Sequence, residues 1–198
     1  MISVIVLAAG ESTRMGFPKL LLPIKGKSLL QHVIDNALQS KVGEVIVVLG
    51  AEATKLRREI KQSQVQIIEN ASYKEGLSTS LKAGLQAVSP QAQAVLILLG
   101  DQPLISHDII DALIDKYEES GSIMVAPVYK GKRGNPVLFD SSLIPELSRV
   151  TGDKGGREII EKHPAQLATV DFESTITGTD IDSWEDYREV CRFLQAGD

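Results

Sequence analysis

Cysteine is almost missing from this 198-residue chain: Cys191 stands alone, so no intrachain disulfide can form and a reducing cytosol is the expected setting. It falls in an amphipathic tail, where a core or boundary thiol is expected rather than a nucleophile. Histidine is nearly as scarce, and His32, His107 and His163 are too dispersed to build a zinc centre. There is no basic excess either. The net charge of −5 argues against general nucleic-acid binding, although a local cluster of Arg and Lys would still suffice for a small polyanion. No apolar run is long enough to span a bilayer, and the first one lacks the basic flank of a targeting segment. A cytoplasmic protein with no membrane partner is therefore expected. Repeats, low-complexity tracts and a clear linker are absent. Two familiar phosphate loops are also missing: no Gly-Lys-Ser/Thr stands at Walker spacing, and Ala8 and Arg14 break the Gly-x-Gly-x-x-Gly dinucleotide fingerprint. The latter disfavours a dinucleotide-dependent oxidoreductase.

What is present is the composition of a soluble globular protein, 43% hydrophobic and 24% charged, with length for one sizeable core but little room for two. Residues 1–198 are therefore expected to form a single domain. Glu44 to Leu49 and Ala94 to Leu99 are short apolar runs ending in glycine, the first run through Val6 leads into small residues and Gly10, and Val65 to Ile68 is a weaker strand candidate. Between them, Leu29, Leu30, Val33, Ile34, Ala37 and Leu38 recur at helical spacing behind Ser28 as N-cap. Leu77, Leu81, Leu85 and Val88 form a second stripe, and Ile109 to Tyr117 a third, capped by Ser106. This alternation predicts an α/β fold with a parallel sheet covered on both faces, and ligands beyond the strand C-terminal ends, where Gly10, Gly50 and Gly100 lie. From Ser122 the rhythm changes to a hairpin or excursion, Ile123 to Phe139, before a late strand Gln166 to Asp171 and a helix Trp184 to Phe193.

The most informative segment runs from Leu7 to Lys19. Small residues Ala8, Ala9 and Gly10 follow a buried strand and let a ligand approach main-chain N–H groups, with Ser12 beside them and Arg14 and Lys19 adding fixed positive charge. A plain β-to-α turn with solvated Arg and Lys is the alternative. Asp101, in Leu-Leu-Gly-Asp-Gln-Pro, ends the strongest apolar strand and is placed either to hold Mg²⁺ or to start a turn with Pro103. Gly76-Leu77-Ser78-Thr79-Ser80-Leu81 opens a helix, where Ser78 or Thr79 would cap. Asp180-Ile181-Asp182-Ser183-Trp184-Glu185-Asp186 reads as a helix start with a cap at Asp182 or Ser183. The glycine- and cation-rich stretches Gly131 to Val137 and Thr151 to Arg157 suit docking of a phosphate-bearing group, with a basic hairpin tip in solvent as the alternative for the first.

The first loop resembles the signature L-A-A-G-x-S-x-R-M-G-x-x-K of nucleotidyltransferases related to molybdenum cofactor synthesis, and the resemblance runs nearly end to end. Gly-Asp-Gln-Pro, Gly-Leu-Ser-x-Ser-Leu, Arg-Gly-Asn-Pro-Val, Gly-Asp-Lys-Gly-Gly-Arg and Asp-Ile-Asp match further family motifs, with Asn135 where His is usual, Gly156 for Ala, and Ser183-Trp184 for Thr-Pro. Ala9 follows the cytidylyl pattern; the guanylyl branch has Gly there. The resemblance implies a Rossmann-like three-layer nucleotidyltransferase fold, with a mostly parallel mixed sheet and helices on both faces. It implies an Mg²⁺-dependent enzyme moving CMP from CTP to the terminal phosphate of molybdopterin, with release of pyrophosphate. By the same match Leu7, Ala8, Ala9, Gly10, Ser12, Arg14, Lys19, Gly76, Ser78 and Ser80 bind the nucleotide, and Arg14, Lys19 and Asp101 are catalytic. Asp101 and Asp182 would hold the metal, with Asp180 a weaker candidate beside them. Arg133, Asn135, Lys154 and Arg157, in a region of about residues 122–182, would bind the phosphorylated pterin acceptor. A molybdoenzyme or its maturation factor is a transient partner on this reading. The alternatives are another NTP or acceptor (GTP with molybdenum cofactor, a sugar phosphate, methylerythritol phosphate) and a non-catalytic nucleotide-binding chaperone.

Overall fold

The computed structural model describes residues 1–153, 155–174 and 176–196. The chain runs through β1 (Ile2–Ala8), a small ribbon of β2 (Pro23–Ile24) and β3 (Lys27–Ser28), α1 (Leu29–Gln39), β4 (Glu44–Leu49), α2 (Ala53–Glu59) and β5 (Val65–Glu69). It continues with α3 (Leu77–Ala87), β6 (Ala94–Leu99), α4 (His107–Ser120), β7 (Met124–Tyr129), β8 (Lys132–Arg133) and β9 (Val137–Asp140). The last elements are α5 (Ile144–Leu147), α6 (Arg157–Lys162), β10 (Leu167–Phe172) and α7 (Trp184–Ala196). The main sheet is ordered β10-β7-β9-β6-β1-β4-β5, with β8 paired to β7. Within it β6-β1-β4-β5 and β10-β7 pair in parallel, and β9 runs antiparallel to both β6 and β7. The sheet is thus mixed and mostly parallel.

Why the strands are apolar on both sides is visible in how their residues divide. Val4, Val6, Val45, Val47, Leu96 and Leu98 pack with α1 and α4 through Leu30, Val33, Ile110 and Leu113. Their neighbours Ile5, Leu7, Ile46, Val48, Val95 and Ile97 face the other way, onto Leu81 and Leu85 of α3 and Ile159 and Ile160 of α6. Alternate side chains therefore feed two cores, and three layers result. Ser28 caps α1 as expected, accepting a hydrogen bond from Gln31 N–H at 3.3 Å. Ser106 stands at the head of α4, but its side chain makes no cap bond, which corrects the sequence expectation; its carbonyl takes the Ile110 N–H instead. The hairpin expected after Ser122 is β7–β8, and β9 follows as the inverted strand.

A third cluster positions the far end of the chain. Met15, Leu22, Ile24, Leu29, Leu104, Ile181 and Val190 pack together, so α7 and the segment before it lie against the N-terminal loop. Ile181 is fully buried there, and its N–H donates to the Asp101 carbonyl at 3.1 Å. Ser183 and Asp186 then exchange cap bonds: Asp186 N–H reaches Ser183 Oγ at 3.2 Å, and Asp186 Oδ2 accepts from Ser183 N–H at 2.8 Å. Of the two cap residues expected for α7, Ser183 does the capping, which leaves the Asp182 carboxylate for other partners. Among the described residues, no helix is long and apolar enough to cross a membrane.

Candidate active site

The loop after β1 turns tightly before the cations. Ser12 adopts a left-handed backbone (φ 54), a conformation that costs a non-glycine residue about 1–2 kcal/mol, and its hydroxyl accepts the Lys19 N–H at 3.3 Å. The loop is backed from below by Gly50 at the end of β4. A Cβ there would stand 2.6 Å from the Ala9 carbonyl oxygen and 2.8 Å from Tyr73 Cβ, so glycine lets β4 support the turn closely. A Cβ on Gly10, by contrast, would meet no protein atom within 4 Å, because Gly10 faces the open cleft.

Lys19 is where three distant parts of the chain meet. Its Nζ donates to Asp101 Oδ2 at 2.7 Å and to Asp182 Oδ1 at 2.7 Å, and Arg14 Nη1 reaches Asp182 Oδ2 at 3.2 Å. The two carboxylate oxygens on Lys19 therefore lie no farther apart than twice that contact distance. Desolvation alone would lower the Lys19 pKa. The Asp101 charge, helped by hydrogen bonds to Asp101 and Asp182, outweighs it and holds the ammonium above 10.5. Asp182 is held below its ordinary 3.8, first by the Lys19 hydrogen bond and then by the charges of Lys19 and Arg14. Asp180 moves the opposite way. Partial desolvation, followed by the Asp101 charge, pushes its carboxyl up to about 6, although Gln102 Nε2 donates to it at 2.7 Å. Gln102 also donates to the Gly178 carbonyl at 3.1 Å and so ties this segment to the end of β6.

Arg14, Lys19, Asp101 and Asp182 line a cleft of about 870 Å³. Of the residues expected to bind nucleotide, Leu7, Ala8, Ala9, Gly10, Ser12, Arg14, Lys19, Gly76 and Ser80 are on its wall, and so are Asp101 and Asp182. Ser78 is not: it is buried behind the wall, and its N–H donates to the Gly152 carbonyl at 2.9 Å. The wall carries Arg14, Lys19 and Lys74 against the carboxylates of Glu11, Glu75, Asp101, Asp153 and Asp182. An acidic balance of this kind repels a bare polyphosphate and accepts one that carries a divalent cation. Among the described residues no group of three or more His, Cys, Asp or Glu could hold a metal ion. The two converging carboxylates, Asp101 and Asp182, fit a hard cation that completes its shell with water and phosphate oxygens, as Mg²⁺ does.

A second cleft, about 450 Å³, shares Leu7, Leu77, Leu99 and Asp153 with the first and carries Arg133, Asn135 and Arg157. Three of the four residues expected on the acceptor side are thus brought together beside the first cleft. Lys154 lies outside the described residues. The sequence reading missed Asp153. Its Oδ1 accepts the Leu77 N–H at 3.0 Å and caps α3 from a loop far along the chain. No local cap pattern signals such a bond.

Residues 4–167 match the model of the MobA-like NTP transferase domain. The chain is 30% identical to the nicotine blue oxidoreductase of Paenarthrobacter nicotinovorans, over 91% of this chain and 92% of that one. It is 37% identical to the molybdenum cofactor cytidylyltransferase of Escherichia coli (strain K12), over 69% of each. Rv0371c of Mycobacterium tuberculosis H37Rv, solved in complex with manganese, superposes with a TM-score of 0.79 at 30% identity, covering 96% of this chain and 98% of that one. With its mixed three-layer sheet, its phosphate-type loop and these relationships, the chain belongs to the MobA-like NTP transferase domain family and is a nucleotidyltransferase.

Proposed function

We propose that the chain transfers CMP from CTP to the terminal phosphate of molybdopterin, with Mg²⁺, and releases pyrophosphate. The observation that carries this reading is the meeting of Lys19, Asp101 and Asp182 at one point, with Arg14 beside them, on the wall of the cleft that holds the first loop. Likeness to the cytidylyltransferase of Escherichia coli and the Ala8-Ala9-Gly10 loop favour cytidine over guanosine. A relative solved with manganese favours a divalent metal in this family.

In the reaction, an acceptor phosphate oxygen forms a bond to the α-phosphorus of CTP, and the bond from that phosphorus to the β-phosphate bridging oxygen breaks. The electron pair leaves with pyrophosphate. The attacking oxygen is already anionic, so no protein base is required, and rate comes from alignment and charge neutralisation. Lys19 exchanges its carboxylate partners for the α-phosphate oxygens, where negative charge gathers. Arg14, exposed at the mouth, holds the outer phosphates. Asp101 and Asp182 would hold the metal, which supplies Lewis-acid neutralisation of the triphosphate. Arg133, Asn135 and Arg157 orient the acceptor phosphate from the second cleft. On this reading residues 1–198 work as one domain in the cytoplasm and hand the product to a molybdoenzyme or its maturation factor.

The test is pyrophosphate release from CTP, GTP, ATP and UTP with Mg²⁺ and molybdopterin. Turnover with CTP well above the other nucleotides supports the reading. Turnover only with a sugar phosphate or methylerythritol phosphate would move the acceptor. NTP binding without turnover on any acceptor would favour a chaperone. Oxidoreductase turnover of nicotine blue, the activity in the name of the Paenarthrobacter relative, would overturn it.

A further inference from the structure

Ser80 lines the cleft from α3 as an almost completely buried residue, 2% exposed, and Asn70 stands behind it at 8%. The orientation of the Asn70 amide is fixed by its surroundings. Ser72 N–H, which can only donate, contacts one end at 3.0 Å, so that end is the oxygen. The nitrogen therefore faces α3, and its two hydrogens go to Thr79 Oγ1 at 2.8 Å and Ser80 Oγ at 3.0 Å. Thr79 passes its own hydrogen to the Ser72 or Gly76 carbonyl, at 3.0 and 2.9 Å. Ser80 already accepts from Asn70, and among the described residues its hydrogen meets no acceptor.

We infer that Asn70 is a positioning residue that sets the polarity of the Ser80 hydroxyl, so that Ser80 donates into the cleft and selects a nucleobase edge presenting a carbonyl or ring-nitrogen acceptor. The inference rests on the nucleotide reading given above. Asn70 touches no substrate; it acts by filling a Ser80 lone pair and leaving the hydrogen for the ligand. A carboxylate at 70 would reverse this. It can still accept from Ser72 N–H, but it offers no donor, so the Ser80 hydrogen turns back toward it and only lone pairs face the base.

The experiment compares wild type, Ser80→Ala, Asn70→Asp and the double variant by calorimetric titration with Mg²⁺ and either CTP or ribose 5′-triphosphate, which has no base. Melting temperatures verify folding. Loss of one hydrogen bond is expected to weaken CTP about 10-fold in each single variant. Ribose 5′-triphosphate reports the effect of the charge that Asn70→Asp adds; once that change is subtracted, the double variant should bind CTP no more weakly than Ser80→Ala. The inference is overturned if, after that subtraction, CTP binding is unchanged in Asn70→Asp or the two losses multiply in the double variant, or if the base-free ligand weakens as much as CTP, as a merely structural role would require. Wild type that bound neither ligand would overturn the nucleotide reading itself, and the inference with it.

Discussion

Removing the Lys19 ammonium should lower stability and turnover but raise metal affinity. Its side chain is 14% exposed, against 19% for Asp101 and 48% for Asp182, at 2.7 Å from both carboxylates. At an effective dielectric of about 20, each contact is worth several kcal/mol of gross attraction, most of it offset by desolvation and by water at Asp182. Lys19→Ala is therefore expected to cost only about 1–2 kcal/mol of stability. The effect on turnover is expected to be larger, because in the proposed reaction the ammonium faces charge that grows only in the transition state. Loss of one such stabiliser lowers kcat by roughly 100- to 1000-fold, or about 3–4 kcal/mol. The same substitution frees two carboxylates that a cation had been neutralising, so divalent-metal affinity of the nucleotide-free protein should rise. Pyrophosphate release under saturating CTP, with isothermal titration of Mn²⁺ into the apo variant, measures both. Near-normal kcat, or metal affinity that falls, would refute the reasoning.

Asp101→Asn should raise the Mg²⁺ concentration for half-maximal turnover by about 10-fold or more, and superimposable metal titration curves would remove Asp101 as a ligand. Asp180→Asn should stabilise the metal-free protein above pH 6 and leave it unchanged below about pH 4. The folded carboxyl is raised to about 6 from 3.8, so its ionisation penalty grows between those values as pH rises. About two pKa units correspond to about 3 kcal/mol, and the residue's solvent contact reduces this to about 1 kcal/mol. A melting-temperature gain that is constant with pH in chelator would contradict it. Gly84→Ala is expected to lower stability by about 1–3 kcal/mol, because its Cβ would stand 2.5 Å from Ile5 Cγ2 and 3.2 Å from Val48 Cγ2 where α3 meets the sheet. A denaturation midpoint equal to wild type would show that the helix shifts freely.

The sequence made the β1, β4 and β6 runs and the helices behind them legible because their hydrophobic pattern is local and long enough to carry a period. α2, of seven residues with only Leu56 buried, and the shorter α5 and α6 offered too few turns for a period to emerge. Site residues divide in the same way. Asp101 lies just past the end of β6, and Arg14 and Lys19 lie in the loop after β1, where pattern can locate them; only family resemblance points to Asp182 as a metal ligand. What delivers it is the packing of Ile181 and Val190 against Met15 and Leu29, a contact across most of the chain that no local signal encodes. Ser78 illustrates the reverse: it sits in the expected motif, yet helix phase turns it behind the cleft wall and leaves Ser80 on it. Asn70 and Asp153 act through hydrogen bonds to α3 from loops outside it, and sequence spacing is silent about such bonds.

Crystals of the wild-type protein grown with Mn²⁺ and a non-hydrolysable CTP analogue, read by anomalous scattering, would locate metal and triphosphate together. The expected map has the metal bonded to one oxygen each of Asp101 and Asp182, with Lys19 turned onto the α-phosphate. A metal bound away from both aspartates, or a triphosphate lying in the second cleft, would contradict it.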